Sequence, residues 1–215
     1  GWFKEQFSFM TEIPRIRYEF VIRLYDEYLR IKDKDPKRAE LMNVRWTGTM
    51  PYAAIENYDR MKAAMRQYRT ASADKTAESQ ARAHFLAQDI AFYMGWLGHY
   101  TADGAQPLHD TIHHDGWLGE NPQGYTTDPR VHGRIETAFV DLIQLTDADL
   151  SPLMTKPQVL NDPFAAFVAH LDDASTHVEE VYRLDKISAF GDKENRQAQQ
   201  LVKSQLAKAS AILRD

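Results

Sequence analysis

A chain of 215 residues, 43% hydrophobic and 27% charged, is long enough to bury one proper core, and nothing in it demands a second domain. A net charge of only −5 provides no global field that would draw in nucleic acid or anionic lipid, so recognition of a phosphate has to come from a local site such as bound cations. No apolar run approaches the ~20 residues of a membrane span, and the absence of cysteine excludes disulfides and thiolate metal sites while leaving the compartment open.

The stretch GWFKEQFSFMTEIP lacks the sections of a signal peptide, so a secreted protein would be present here already processed. From Pro14, the residues Ile16, Phe20, Leu24, Tyr28 and Ile31 recur at three and four, which predicts an amphipathic helix. It should stop by Lys34, because Asp35-Pro36 biases the chain out of helical geometry, and a loop is expected through Thr47-Gly48. A second helix is expected from about Pro51 to about Thr70, with Ala54, Tyr58, Met61, Met65 and Tyr68 as a core stripe. After a polar break at Ser72 to Lys75, helical spacing resumes for roughly seven turns to Ala102, burying Leu86, Ile90, Tyr93, Met94 and Leu97. Gly95 and Gly98 cost on the order of 1 kcal/mol each relative to alanine, which predicts close approach of another helix or of a metal centre. Gly104 should stop the helix.

Asp110 to Thr127 is too polar for core and too rich in Gly and Pro for helix, and loops of this length tend to carry function. A fourth helix is expected from a cap at Thr127 or Asp128, with Pro129 in its first turn and Ile135, Phe139, Leu142 and Leu145 or Thr146 facing the core. Ser151 to Asp162 reads as a loop. A fifth helix, capped by Asn161 or Asp162, should bury Phe164, Phe167, Val168, Leu171, Val178 and Tyr182. Gly191-Asp192 then separates it from a sixth, where Val202, Leu206, Ala209 and Leu213 recur. Neither strand-like alternation nor an internal repeat is present, so the expected class is all-α, in a single domain over residues 1–215.

Five of the eight histidines fall between Gly95 and Glu136. His99 and Asp103 are four apart at the end of the long third helix and leave the same face; His109 follows within a turn or two; His132 and Glu136 repeat the spacing on the next helix. One such pair forms ordinary surface hydrogen bonds more often than a metal site. Two pairs, a histidine between them and a loop that returns the chain supply imidazole nitrogen and carboxylate oxygen in the set that zinc takes.

The run GWLGHYTADGAQPLH, followed by a His-rich loop and His132-Gly133-Arg134-Ile135-Glu136, resembles the zinc-dependent phospholipase C and single-strand-specific nuclease family. That resemblance implies an all-α fold, a cleft with three zinc ions, hydrolysis of a phosphodiester substrate (single-stranded nucleic acid or phospholipid) and a secreted or periplasmic location. By matching position it makes His99 a ligand of one zinc of a close pair and Asp103 the carboxylate that bridges the pair. It makes His109, His132 and Glu136 the protein ligands of the remaining zinc. Gln106 and Pro107 are read as shaping the turn that presents His109.

The family's N-terminal tryptophan ligand, the histidine after it and a further Asp and His have no match, since Trp2 follows Gly1 and no histidine precedes His84. Either an upstream segment is missing, which chain length favours, or the metal site is reduced; the expectation is that one zinc set is complete and that the close pair fills weakly until such a segment is restored. His113 and His114 are either extra ligands or substrate contacts, or a solvated turn, and Asn121 is a weaker candidate for the cleft. Trp117 and Tyr125 are candidates for stacking on bases or touching acyl chains. His84 is read as a packed or capped histidine, and His170, Asp173 and His177 as a solvated helix flank. No protein partner is implied. The rival to a hydrolase is a non-catalytic helical protein with one structural zinc, distinguished by four protein ligands in place of three plus water, or with an incomplete, inactive metal site.

Overall fold

The longest periodic stretches of the sequence become its longest helices in a computed structural model that describes residues 7–42 and 48–215. Among these residues the fold is all-α, without a strand. Helix α1 (Arg17–Ile31) buries Phe20, Leu24, Glu27 and Ile31, and α2 (Pro36–Glu40) is a single turn. Helices α3 (Met50–Ala73) and α4 (Ala77–Asp103) are joined by three residues and pack along their length as a hairpin. Thr76 caps α4 by accepting the backbone N–H of Ser79, the usual way of satisfying an orphan donor at a helix start.

After the 3₁₀ turn Pro107–Asp110 and the long loop, Val131–Gly133, Arg134–Phe139 and Val140–Ile143 run on as one helical rod, α5, whose middle segment is π-helical. Then come α6 (Asp147–Leu150), α7 (Pro163–Ser175), α8 (Val178–Lys186) and α9 (Arg196–Arg214). Two apolar clusters organise these elements. One gathers Phe7, Phe20, Leu24, Tyr52, Leu97 and Leu171; the other gathers Leu108, Val131, Ile135, Phe139, Tyr182 and Leu201. The segment from His99 to His109 passes from the first cluster to the second, fastened by Leu97 at one side and by fully buried Leu108 at the other.

Several expectations are corrected. Asp35-Pro36 starts a helix after ending one: the Asp35 side chain accepts the N–H of Arg38, and Pro36 occupies the first turn, where a missing N–H costs nothing. The expected loop through Thr47-Gly48 is therefore partly helix, and its residues 43–47 lie outside those described. Tyr28, Tyr68, Met94 and Leu142 are exposed. The fifth predicted helix is two, broken at Thr176 and His177. Part of the expected loop after Ser151 is a 3₁₀ turn, Ser151–Leu153. Of the two mid-helix glycines only Gly98 meets a close neighbour, where an added Cβ would lie 3.3 Å from Leu213; beside Gly95 there is nothing within 4 Å. Gly104 ends α4 with an ordinary negative φ, and its use is space, since a Cβ would stand 2.6 Å from Leu171.

These environments give opposite outcomes for two alanine substitutions. Gly95→Ala gains helix propensity without a clash and should stabilise the protein by up to about 1 kcal/mol, a rise of roughly 2–4 °C in Tm. Gly116 has φ +104° and a built Cβ would lie 2.6 Å from the Thr127 backbone, so Gly116→Ala should destabilise by about 1–3 kcal/mol. Thermal unfolding of the two variants checks both signs; a lower Tm for Gly95→Ala would mean its face is covered.

Candidate metal centre

Two helices and one turn bring the candidate residues together. His99 and Asp103 leave the last turn of α4, with Nε2 3.2 Å from Oδ2. The 3₁₀ turn that follows is set by Gln106, whose side-chain oxygen accepts the Leu108 N–H at 2.6 Å, and by Pro107 in its first turn. This is the turn-shaping role expected for both. The turn places His109 Nδ1 3.9 Å from Asp103 Oδ2. On α5, His132 and Glu136 approach at 2.5 Å, and both face His109: Nε2 to Nε2 is 2.9 Å and His109 Nε2 to Glu136 Oε2 is 3.3 Å. All five residues thus form one run of contacts, from His99 through Asp103 and His109 to His132 and Glu136.

Arg134 fixes the rod that carries His132 and Glu136. Its guanidinium bonds both oxygens of Asp185 on α8, at 2.8 and 3.1 Å, and Asp128 at 3.2 Å. Glu136 lies in the π-helical segment, a local widening of the helix that often marks a functional position. The histidine-rich loop is tied down by its own side chains and by Tyr182 of α8. Asn121 exchanges two 2.7 Å bonds with the backbone of Tyr125, the Tyr182 hydroxyl donates to the His113 carbonyl at 2.5 Å, and Trp117 stacks on His113 at 3.9 Å between ring centroids.

The ligand atoms of His109, His132 and Glu136 lie within 4.8 Å of one another. Zinc–nitrogen and zinc–oxygen distances of about 2.0–2.2 Å in a tetrahedral array separate ligand atoms by roughly 3.3–3.6 Å. The edges of 2.5, 2.9 and 3.3 Å form a triangle slightly tighter than that. Three lone-pair-bearing atoms converging on one point need a proton or a cation between them, so the donor set fits zinc in number and type. Burial lowers the pKa of His109, outweighing the neighbouring carboxylates and favouring the neutral ring that a metal requires. Burial alone would raise Glu136, yet the charges of His109 and His132 hold it below the usual carboxylate range.

His114 was an open candidate, and its ring lies 4.2 Å from that of His132 and 5.5 Å from that of His109. Its Nδ1–H donates to the Leu108 carbonyl at 2.8 Å, which leaves Nε2 as the acceptor. With Asp115 and His132 it forms a second, more exposed group of possible ligands. His113 and Asn121, by contrast, are engaged by the loop. Tyr125 is 9% exposed, with its hydroxyl on Glu179, so it does not offer a face for stacking. His84 is exposed, beside Gln88, and not packed. His170 is buried, donating Nε2–H to the Thr101 carbonyl at 2.9 Å, where a solvated flank was expected. The Trp2 position lies outside the described residues.

Asp110 was missed altogether. It is 3% exposed, its Oδ2 has no hydrogen-bond partner, and its carboxyl is pushed well above the usual carboxylate range by burial and by the charges of Asp172 and Asp103. A charged residue in the first turn after Gln-Pro-Leu-His was the available signal. Asp110 and Asp103 line an open cleft of about 630 Å³ together with His109, His114, Tyr100 and Arg17.

Compared with known protein families, curated proteins and solved structures, the chain matches none. Its site is thus described by its geometry alone: a three-donor His/His/Glu set beside a polar cleft. His132→Ala removes the donor common to both candidate groups and should abolish tight zinc binding, whereas Glu136→Gln keeps an oxygen and should weaken it less. Elemental analysis of the purified variants checks this, and undiminished zinc in His132→Ala would place the metal elsewhere.

Proposed function

We propose that the protein is a zinc-dependent phosphodiester hydrolase, with His109, His132 and Glu136 as the ligands of a catalytic zinc. The observation that carries this reading is the ligand count. Three protein donors converge, where a structural zinc takes four and a catalytic one leaves a position open. Zinc bound there would supply Lewis acidity, a water of lowered pKa and positive charge against phosphate. The resemblance of the His99 to Glu136 motif supports the choice of zinc and of a phosphodiester.

The chain's own residues supply binding and proton handling. Arg17 at the rim of the cleft is a cation for a phosphate oxygen, although it also bonds Glu56 at 3.0 Å. Asp103 sits between His99, whose Nε2 it meets at 3.2 Å, and His109, at 3.9 Å, and is the carboxylate best placed to accept a proton from an attacking water. His114, anchored by its Nδ1 on the Leu108 carbonyl, places its ring 4.2 Å from that of His132 and is a further polar contact for the substrate in the same space. No helix among the described residues is long and apolar enough to cross a membrane.

In the full-length protein loaded with zinc, hydrolysis of bis(p-nitrophenyl) phosphate and of either single-stranded nucleic acid or a phospholipid headgroup is expected, and a chelator should abolish it. Asp103→Asn should lower kcat by about 10²–10⁴ with the helical circular dichroism unchanged. Absence of cleavage of every one of these substrates by zinc-loaded protein would end the hydrolase reading.

A further inference from the structure

The ligand atoms of His114, Asp115 and His132 also lie within 4.8 Å of one another, so His132 belongs to two three-donor sets. The inner set is His109, His132 and Glu136; the outer one has the same donor types, two imidazoles and a carboxylate. Exposure separates them. The side chains of His114 and Asp115 are 46% and 63% exposed, against 16% for His109. His114 Nε2 stands 3.6 Å from Asp115 Oδ1, which matches the edge of roughly 3.3–3.6 Å between ligands of a tetrahedral zinc.

The three histidines are not equally prepared for a metal. A ligating imidazole almost always donates its second ring N–H to a carboxylate, a carbonyl or water, which fixes the tautomer and the ring. Of the three, only His114 does so, through Nδ1 to the Leu108 carbonyl at 2.8 Å, and its Nε2 lone pair is left for a cation. His109 Nδ1 is 3.9 Å from Asp103, beyond hydrogen-bond reach, and His132 Nδ1 is buried with no partner among the described residues. The histidine best fixed for ligation thus lies outside the inner set. The one common to both sets has no anchoring bond.

His132 Nε2 faces His109 and Glu136, and an imidazole nitrogen has one lone pair, so this atom serves one cation at a time. Its buried Nδ1 gives no access to a second cation. The two sets are therefore alternative seats for one zinc. The His114 and His109 rings lie 4.2 and 4.7 Å from the His132 ring, so the seats are only a few ångströms apart.

We propose that His114, Asp115 and His132 form an outer capture site that takes a divalent cation from solution and passes it to the inner set. The passage is a ligand exchange with His132 bound throughout: His109 replaces His114 and Glu136 replaces Asp115, an imidazole for an imidazole and a carboxylate for a carboxylate. No electron moves. Taking an ion out of water is costly, and the outer site replaces part of the hydration before the metal meets the more enclosed His109. The inference rests on the inner set as the zinc site of the proposed function, and it does not depend on what is hydrolysed.

The test is the rate at which zinc enters and leaves the full chain, followed by stopped flow against a chromophoric chelator for the unaltered protein, Asp115→Asn and His114→Ala. Loading and release share one path, so weakening an intermediate on it slows both by the same factor and leaves Kd unchanged. A slowing of at least about tenfold is expected, the smallest usual effect of losing a group that supports a metal site. Asp115 is exposed, so its variant keeps the test sound if His114→Ala, which loses the Leu108 bond, fails to fold. In His109→Ala, which breaks the inner set, Co2+ should still bind, and adding Asp115→Asn should weaken that binding at least about tenfold.

Slower loading with unchanged release would reduce Asp115 to electrostatic attraction and overturn the relay. Unchanged rates, a changed Kd in Asp115→Asn, or equal Co2+ binding with and without that substitution would overturn it too. Tight zinc with unaltered rates removes the capture site alone; an unaltered chain that holds no zinc tightly removes the inner centre and the hydrolase reading with it.

Discussion

Everything proposed for this protein depends on the placement of one short turn, Pro107–Asp110, between two apolar clusters. Leu97 belongs to one cluster and Leu108 to the other, so the chain crosses from core to core within eleven residues and sets half-buried His109 at the crossing. Truncating a buried leucine costs about 2–5 kcal/mol, and the cost here would fall on a residue adjacent to a candidate ligand. The second half of the site is fixed differently, by charge. Arg134 joins Asp128 and Asp185 at the root of the rod that presents His132 and Glu136. A rigid turn and a clamped helix can hold donor atoms within hydrogen-bond distance of each other, which is the preorganisation that a metal site needs.

On the proposed function an acidic chain would act on an anionic substrate, and local charge is what would make that workable. The net charge of −5 is spread over the surface, and surface charges more than about 10 Å away are largely screened at moderate salt. What a phosphate would meet is local: the charge of a bound cation, Arg17 in the cleft lining and the imidazoles of His109 and His114. Buried Asp110 runs against this only if it is ionised, and its surroundings push its carboxyl toward the neutral form.

The class of fold and the convergence of the candidate ligands were legible because each has a strong local signature. Long amphipathic periods mark α1, α3, α4 and α9, and four-residue His/carboxylate spacing puts each pair on one helix face. What was not legible depended on tertiary context. Nothing local distinguishes buried His170 from exposed His84; the first is enclosed because α7 packs against the end of α4, where the Thr101 carbonyl needs a donor. The break at His177 and the π-helical widening around Glu136 likewise follow from packing, not propensity. Asp110 and Gln205 are buried polar residues, and their enclosure follows from elements that only the fold brings together.

The most direct measurement is zinc K-edge X-ray absorption on the zinc-loaded protein. Two imidazole nitrogens and one carboxylate oxygen per tightly held zinc, completed by a light atom from solvent at about 2.0–2.2 Å, is the first shell predicted here. A shell with fewer than two imidazoles, or one closed by four protein donors, would contradict the assignment of His109, His132 and Glu136 as an open catalytic centre.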